Sequence, residues 1–174
     1  MAFNLITIAE THKLIQQQTI ATELNEIIKC NNISGIYGLT LTHDQILGLL
    51  ETRYYALTAN DRIEFGSGLI EKLIKAFCDS SFLSMHNYSE TLNELIELFY
   101  CFKTKYNGLI QDDDLIEDMK KVFEKSNGCI ELLSDCNLYE RFRGYIISYE
   151  LDFSEDDNNF DVFGTEDEDY YDYE

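Results

Sequence analysis

Few residues in this chain have the type and spacing that chemistry requires. The stretch RIEFGSGLI places Arg62 and Glu64 on either side of Ile63 and sets Gly66 and Gly68 around Ser67. A glycine-rich turn ahead of a helix can cradle phosphate, but the GK[ST] ending of a P-loop is missing here, so a tight turn with an internal Arg–Glu pair is the expectation. The run Asp112-Asp113-Asp114, with Glu117 and Asp118 one turn later, has the carboxylates of a magnesium site or an acid–base pair. Asp and Glu are also favoured in a first helical turn by the helix dipole, which makes helix capping and a solvated face the simpler reading.

Two stretches can be counted as EF-hand loops. From Lys103, Asn107, Gly108, Ile110 and Asp114 fall at the fifth, sixth, eighth and twelfth places; from Ala56, Asn60, Asp61, Ile63 and Ser67 do the same. Calcium needs carboxylates at the first and third places, and Lys103 and Lys105 hold those of the second loop. If the counts are meaningful, Ile63 and Ile110 pair across a short β-bridge in two metal-free EF-hand-like hairpins; the plainer expectation is ordinary helical hairpins. His12, His43 and His86 lie in three separate segments. Cys30, Cys78, Cys101, Cys129 and Cys136 form an odd set without CxxC, which fits reduced thiols, most of them packed as small hydrophobes. Neither a catalytic residue, a metal nor a cofactor is expected.

The elements that must position these residues follow an all-α rhythm. With no proline in 174 residues, helix ends fall to Gly, Asn, Asp, Ser and Thr. A helix is predicted from about Thr11 to Asn31, with a break near Gln16 to Gln18. Thr42 and Gln45 form a capping box opening a helix over His43 to Leu57. Leu69, Ile70, Leu73, Ile74 and Phe77 give one apolar face; Tyr88 to Phe102 form a longer amphipathic run, after the break at Asp79 to Ser81. Asp112 is the expected N-cap of a helix through Phe123 that Asn127 and Gly128 close. Ile130 to Phe142 suggest one or two short helices, and Gly144 to Phe153 an edge strand or extended segment. The fold expected is a compact bundle of about five to seven helices over residues 1–153, followed by a disordered acidic tail over 154–174.

Charge separates the two parts. Of thirty-three acids, twelve lie between Glu150 and Glu174, where there is no Lys or Arg. The body keeps twenty-one acids against thirteen bases, or −8 of the total −20. Such a field repels nucleic acid and anionic lipid and favours a protein with a basic surface. No apolar run approaches the ~20 residues of a membrane span, and no basic region precedes the apolar start, so a cytoplasmic location is expected. In the tail, Glu166, Asp167, Glu168, Asp169, Tyr170, Tyr171, Asp172 and Tyr173 alternate acids with aromatic anchors and are the candidate partner-binding residues. The function expected is a non-enzymatic protein-binding or adaptor module. A nucleic-acid mimic that inhibits a nucleic-acid-binding protein is one alternative, and a small enzyme, with Arg62 and Glu64 meeting a Cys or His in a pocket, is another.

Taken in order, RIEFGSGLIEKLIKAFCDSSFL, YSETLNELIELFYCFK, DDDLIEDMKKVFE and GCIELLS resemble a family of unknown function among hypothetical proteins of clostridia and related Gram-positive bacteria. The resemblance covers about Gly38 to Ser134. It implies a bacterial cytoplasmic protein and carries no activity with it. Among the residues matching the family pattern, Arg53, Arg62 and Glu64 are the polar ones expected to form a shared surface; the acidic tail lies outside the pattern.

Overall fold

The computed structural model describes residues 18–64 and 66–135, without the side chains of 134 and 135. The chain divides into a unit over Met1–Asn137 and a second over Leu138–Glu174, and every described residue belongs to the first. The start of the first predicted helix, the segments beyond residue 135, Cys136 and the tail residues Glu166 to Tyr173 lie outside the described residues.

The architecture is all-α. Helix α1 covers residues 18–29, and α2 (Asn31–Ser34) runs into a 3-10 turn at Gly35–Tyr37. Then follow α3 (His43–Ala59), α4 (Gly68–Phe77), α5 (Tyr88–Lys105), α6 (Asp112–Lys125) and α7 (Ile130–Asp135). Helix α3 packs chiefly on α5, while α4 packs on α5 and α6. The core is continuous through Ile46, Leu49, Ile70, Leu73, Ile74, Phe77, Leu95, Ile96, Phe99, Leu115, Met119 and Phe123, all buried. Phe123 is met edge-on by Phe77 and Phe82, with centroids 5.5 and 6.4 Å away.

The helix ends show how a chain without proline stops its helices. At α3 the Thr42 hydroxyl accepts from the Gln45 N–H and the Gln45 side chain accepts from the Thr42 N–H, so the predicted capping box is formed. At the other end, three helices close by the same motif. Asp61, Asn107 and Asn127 take φ of 51°, 51° and 56°, and the next residue's N–H reaches five residues back: Arg62 to Leu57 O, Gly108 to Lys103 O and Gly128 to Phe123 O. This is the Schellman arrangement, and short Asx side chains tolerate the left-handed position better than branched ones.

Two sequence expectations change. Asp112 is not the N-cap of α6: Gln111 holds that position with extended backbone, because the Asp112 carboxylate is drawn sideways to Lys103. Ile63 and Ile110 do not pair, since no bridge or strand occurs among the described residues and Ile63 is 85% exposed while Ile110 is 5% exposed. Loop-to-loop contact is made instead by a side chain described below.

Gly128 is the tightest point of this frame. A Cβ there would stand 2.5 Å from Phe82 Cβ, and because that atom is fixed to the backbone, the clash cannot be relieved by a rotamer change. At Gly38, whose φ is 76°, a Cβ would meet nothing within 4 Å. Gly38→Ala is therefore expected to cost about 1 kcal/mol of left-handed strain, and Gly128→Ala at least ~2 kcal/mol more. Urea unfolding of both variants checks the order; equal losses would contradict the packing argument.

Candidate functional site: a buried relay and the face it orients

Arg53 sits on the inner side of α3 and is only 7% exposed. A buried guanidinium must be faced by acceptors, or the desolvation cost is not recovered. The answer comes from α5: Tyr100, fully buried, donates its phenol proton to Glu64 Oε2 at 2.8 Å, and the phenol stands close enough to Arg53 to feel its positive charge. Glu64 Oε1 in turn lies 3.7 Å from Arg62 Nε. The Arg62 guanidinium lies over Gly108, where a Cβ would stand 3.7 Å from Nη2. Arg53, Tyr100, Glu64 and Arg62 thus form one relay from the inside of α3, through α5, to the two loops that follow α3 and α5. Among the described residues, Arg53 Nε is buried without an acceptor.

The structure brings together the three polar residues that the sequence singled out. It places them differently, however: Arg53 is buried, while Arg62 and Glu64 keep about a third of their side chains exposed. Tyr100 is the member that sequence reasoning missed, because an aromatic residue inside an amphipathic helix reads as core. Burial first, and then the bond to Glu64, push its phenol above its ordinary value against the opposing pull of Arg53. A phenol held protonated and enclosed is a hydrogen-bond bridge, unsuited to act as a base or nucleophile.

Other polar groups are also engaged. Lys103, at the place where a calcium carboxylate would stand, is 7% exposed; its ammonium donates to Ile110 O at 2.7 Å and pairs with Asp112 at 2.9 Å. Asp113 pairs with Lys72 at 2.9 Å and Lys120 with Asp79 at 2.6 Å, so part of the acidic face expected to be only solvated ties α6 to α4 and its C-terminal turn. The Ser67 hydroxyl lies 2.7 Å from Glu26 and 2.9 Å from Glu71. Cys30 and Cys78 are buried, and burial pushes both thiols above their ordinary value, away from the thiolate. Cys101 is exposed and Cys129 half-buried. The expectation of packing thus holds for Cys78 and fails for Cys101, whose position on α5 faces away from the core.

On its other side, α3 is also apolar. Leu47, Tyr54 and Tyr55 are 37%, 65% and 68% exposed, with the two tyrosine rings edge to face at 5.8 Å. A depression of about 350 Å³ runs between this face and α1, lined by Ile20, Glu23, Leu47, Leu50, Glu51, Arg53, Tyr54, Tyr55 and Leu57. A second, of about 340 Å³, adjoins it through Ile20 and Leu47 and reaches Leu24 and His43.

A family of unknown function, DUF6323, matches residues 26–150. The chain belongs to this family. The match contains the relay and helices α2 to α7; it leaves out Ile20 and Glu23 on α1 and the acidic segment 154–174. No curated protein and no solved structure matches the chain. Among the described residues no helix is long and apolar enough to cross a membrane, and no group of three or more His, Cys, Asp or Glu is placed to hold a metal ion.

Two outcomes follow from these contacts. Tyr100→Phe is expected to cost about 1–3 kcal/mol, because Glu64 and Arg53 lose their shared partner, and Tyr100→Phe with Glu64→Gln to cost about 1 kcal/mol less than the sum of the two. Additive losses in denaturant titration would mean that there is no relay. The second concerns Tyr88, 1% exposed, whose phenol burial pushes up from 10.0 to about 12 against a smaller pull from Ser34. The folded state therefore holds this proton after the unfolded chain has released it. The stability so gained is complete below pH 10 and falls as pH rises from 10 to about 12. Tyr88→Phe should flatten that alkaline loss; a loss unchanged from the parent protein would contradict the assignment.

Proposed function

We propose that the chain is a non-enzymatic protein-binding module of the bacterial cytoplasm whose partner presents a basic surface. The observation that carries the proposal is the outward face of α3, where Tyr54 and Tyr55 stand two-thirds exposed beside Leu47 and Glu51. Exposed tyrosines supply large, rigid contact area at low entropic cost, and residues of this kind anchor interfaces. A net charge of −20 selects a basic partner and speeds its encounter. In this reading the segment from Glu166 to Tyr173 adds a second, electrostatic contact, with Tyr170, Tyr171 and Tyr173 as its anchors. The relay residues support the reading from the other side, since the Tyr100–Glu64 hydrogen bond beside Arg53 ties α5 to the loop that follows α3.

The proposal is tested by affinity capture from the native cell with the full chain and with residues 154–174 deleted, each washed at low and high salt. A partner of basic surface is expected, bound more weakly as salt rises because the Debye length contracts from about 10 Å at 0.1 M to about 3 Å at 1 M. Replacing Tyr170, Tyr171 and Tyr173 with Ser should weaken binding at every salt concentration. If the deletion variant binds as tightly as the full chain at all salts, the segment takes no part. If neither chain retains a basic partner, the proposal fails.

A further inference from the structure

We infer that the groove between α1 and α3 is the seat of a basic amphipathic helix from a protein partner. The inference rests on the binding-module reading and adds to it the surface used and the shape received. The two depressions adjoin at Ile20 and Leu47, which line both. Along α3, Leu47, Glu51, Tyr54 and Tyr55 recur at i, i+4, i+7 and i+8; along α1, Ile20, Glu23 and Leu24 recur at i, i+3 and i+4. These are the spacings of helical ridges, and the trough between two such ridges is shaped for the ridge of a third helix.

Ile20 is 46% exposed, so both walls present apolar surface to the trough. A helix entering it with apolar residues at i, i+4 and i+7 would cover them. Charge selects among possible occupants. The depression is lined by two carboxylates, Glu23 and Glu51, against one base, Arg53, which is 7% exposed. A helix with Lys or Arg flanking its apolar stripe meets an attractive field there. A second copy of the chain, at −20, meets a repulsive one, as does a nucleic acid or an anionic membrane.

The experiment uses the full chain and three synthetic helical peptides of about eighteen residues, about five turns. One has a Leu stripe flanked by Lys, one the same Lys with Ser in place of Leu, and one the Leu stripe flanked by Glu. Anisotropy titration is expected to show the Lys–Leu peptide binding at least tenfold tighter than either control. Ile20→Glu, Leu47→Glu and Tyr54→Ser should each weaken it by tenfold or more, and Ile36→Ser, at another exposed apolar position, should leave it unchanged. A photo-crosslinking residue at Tyr54 should join the chain to the peptide; joining to a second copy or to the chain itself would overturn the inference. If the groove variants bind the Lys–Leu peptide like the parent while deletion of residues 154–174 abolishes binding, the groove is wrong and the basic-partner reading stands. If no basic peptide binds any form of the chain, both fall.

Discussion

The interaction on which the rest of this structure depends is the hydrogen bond from Tyr100 to Glu64, because it allows a guanidinium to lie inside the bundle. Arg53 is carried inward on the same face of α3 that buries Leu49 and Ala56, and a cation there is tolerated only where negative or dipolar groups meet it. Tyr100 stands beside it on α5 and donates to Glu64, whose carboxylate brings a negative charge to the group and whose loop is fixed by the Schellman end of α3. The register of α3 on α5, and the direction of the loop leaving α3, are therefore set by one polar contact as well as by apolar packing. Thr52 and Asn93, hydrogen bonded at 2.7 Å, reinforce the same pair of helices.

From that constraint follows the unusual two-sidedness of α3. Its inner face is consumed by the core and the relay; its outer face repeats apolar residues that nothing among the described residues covers. At the loop after α5 the buried Lys103 ammonium joins Ile110 O to the Asp112 carboxylate. Lys72 and Lys120 pair with acids of another element, Asp113 and Asp79, while Lys75 and Lys121 pair with acids one turn away on their own helices.

Much of the fold was legible because local rules and tertiary packing agree. The Thr42–Gln45 capping box, the single apolar faces of α4 and α6, and the Asn127–Gly128 stop all stand where periodicity and capping chemistry put them. Disagreements arise where a long-range partner outweighs a local preference. Asp112 gives up the cap for Lys103; Arg53, which hydropathy assigns to the outside, is taken in by Tyr100; Cys101 follows its helix face outward despite its apolar neighbours. The outer face of α3 was masked for another reason: a helix apolar on two sides reads as deeply buried, and only the position of its neighbours shows which side is left open. The Arg62–Glu64 pair was visible from spacing, whereas its connection across 36 residues to Tyr100 has no sequence signature at all.

The central claim is that one buried polar contact holds α3, so that its outer face is presented as a rigid surface. Native-state hydrogen exchange of the parent protein and of Tyr100→Phe tests it most directly, since exchange reports the opening of each segment separately. The account predicts that amides over the second half of α3 and over residues 61–64 lose protection together in the variant, while α6 keeps its own. Protection of α3 unchanged from the parent, with exchange faster only at residues 61–64, would show that apolar packing alone holds the helix and would contradict the account.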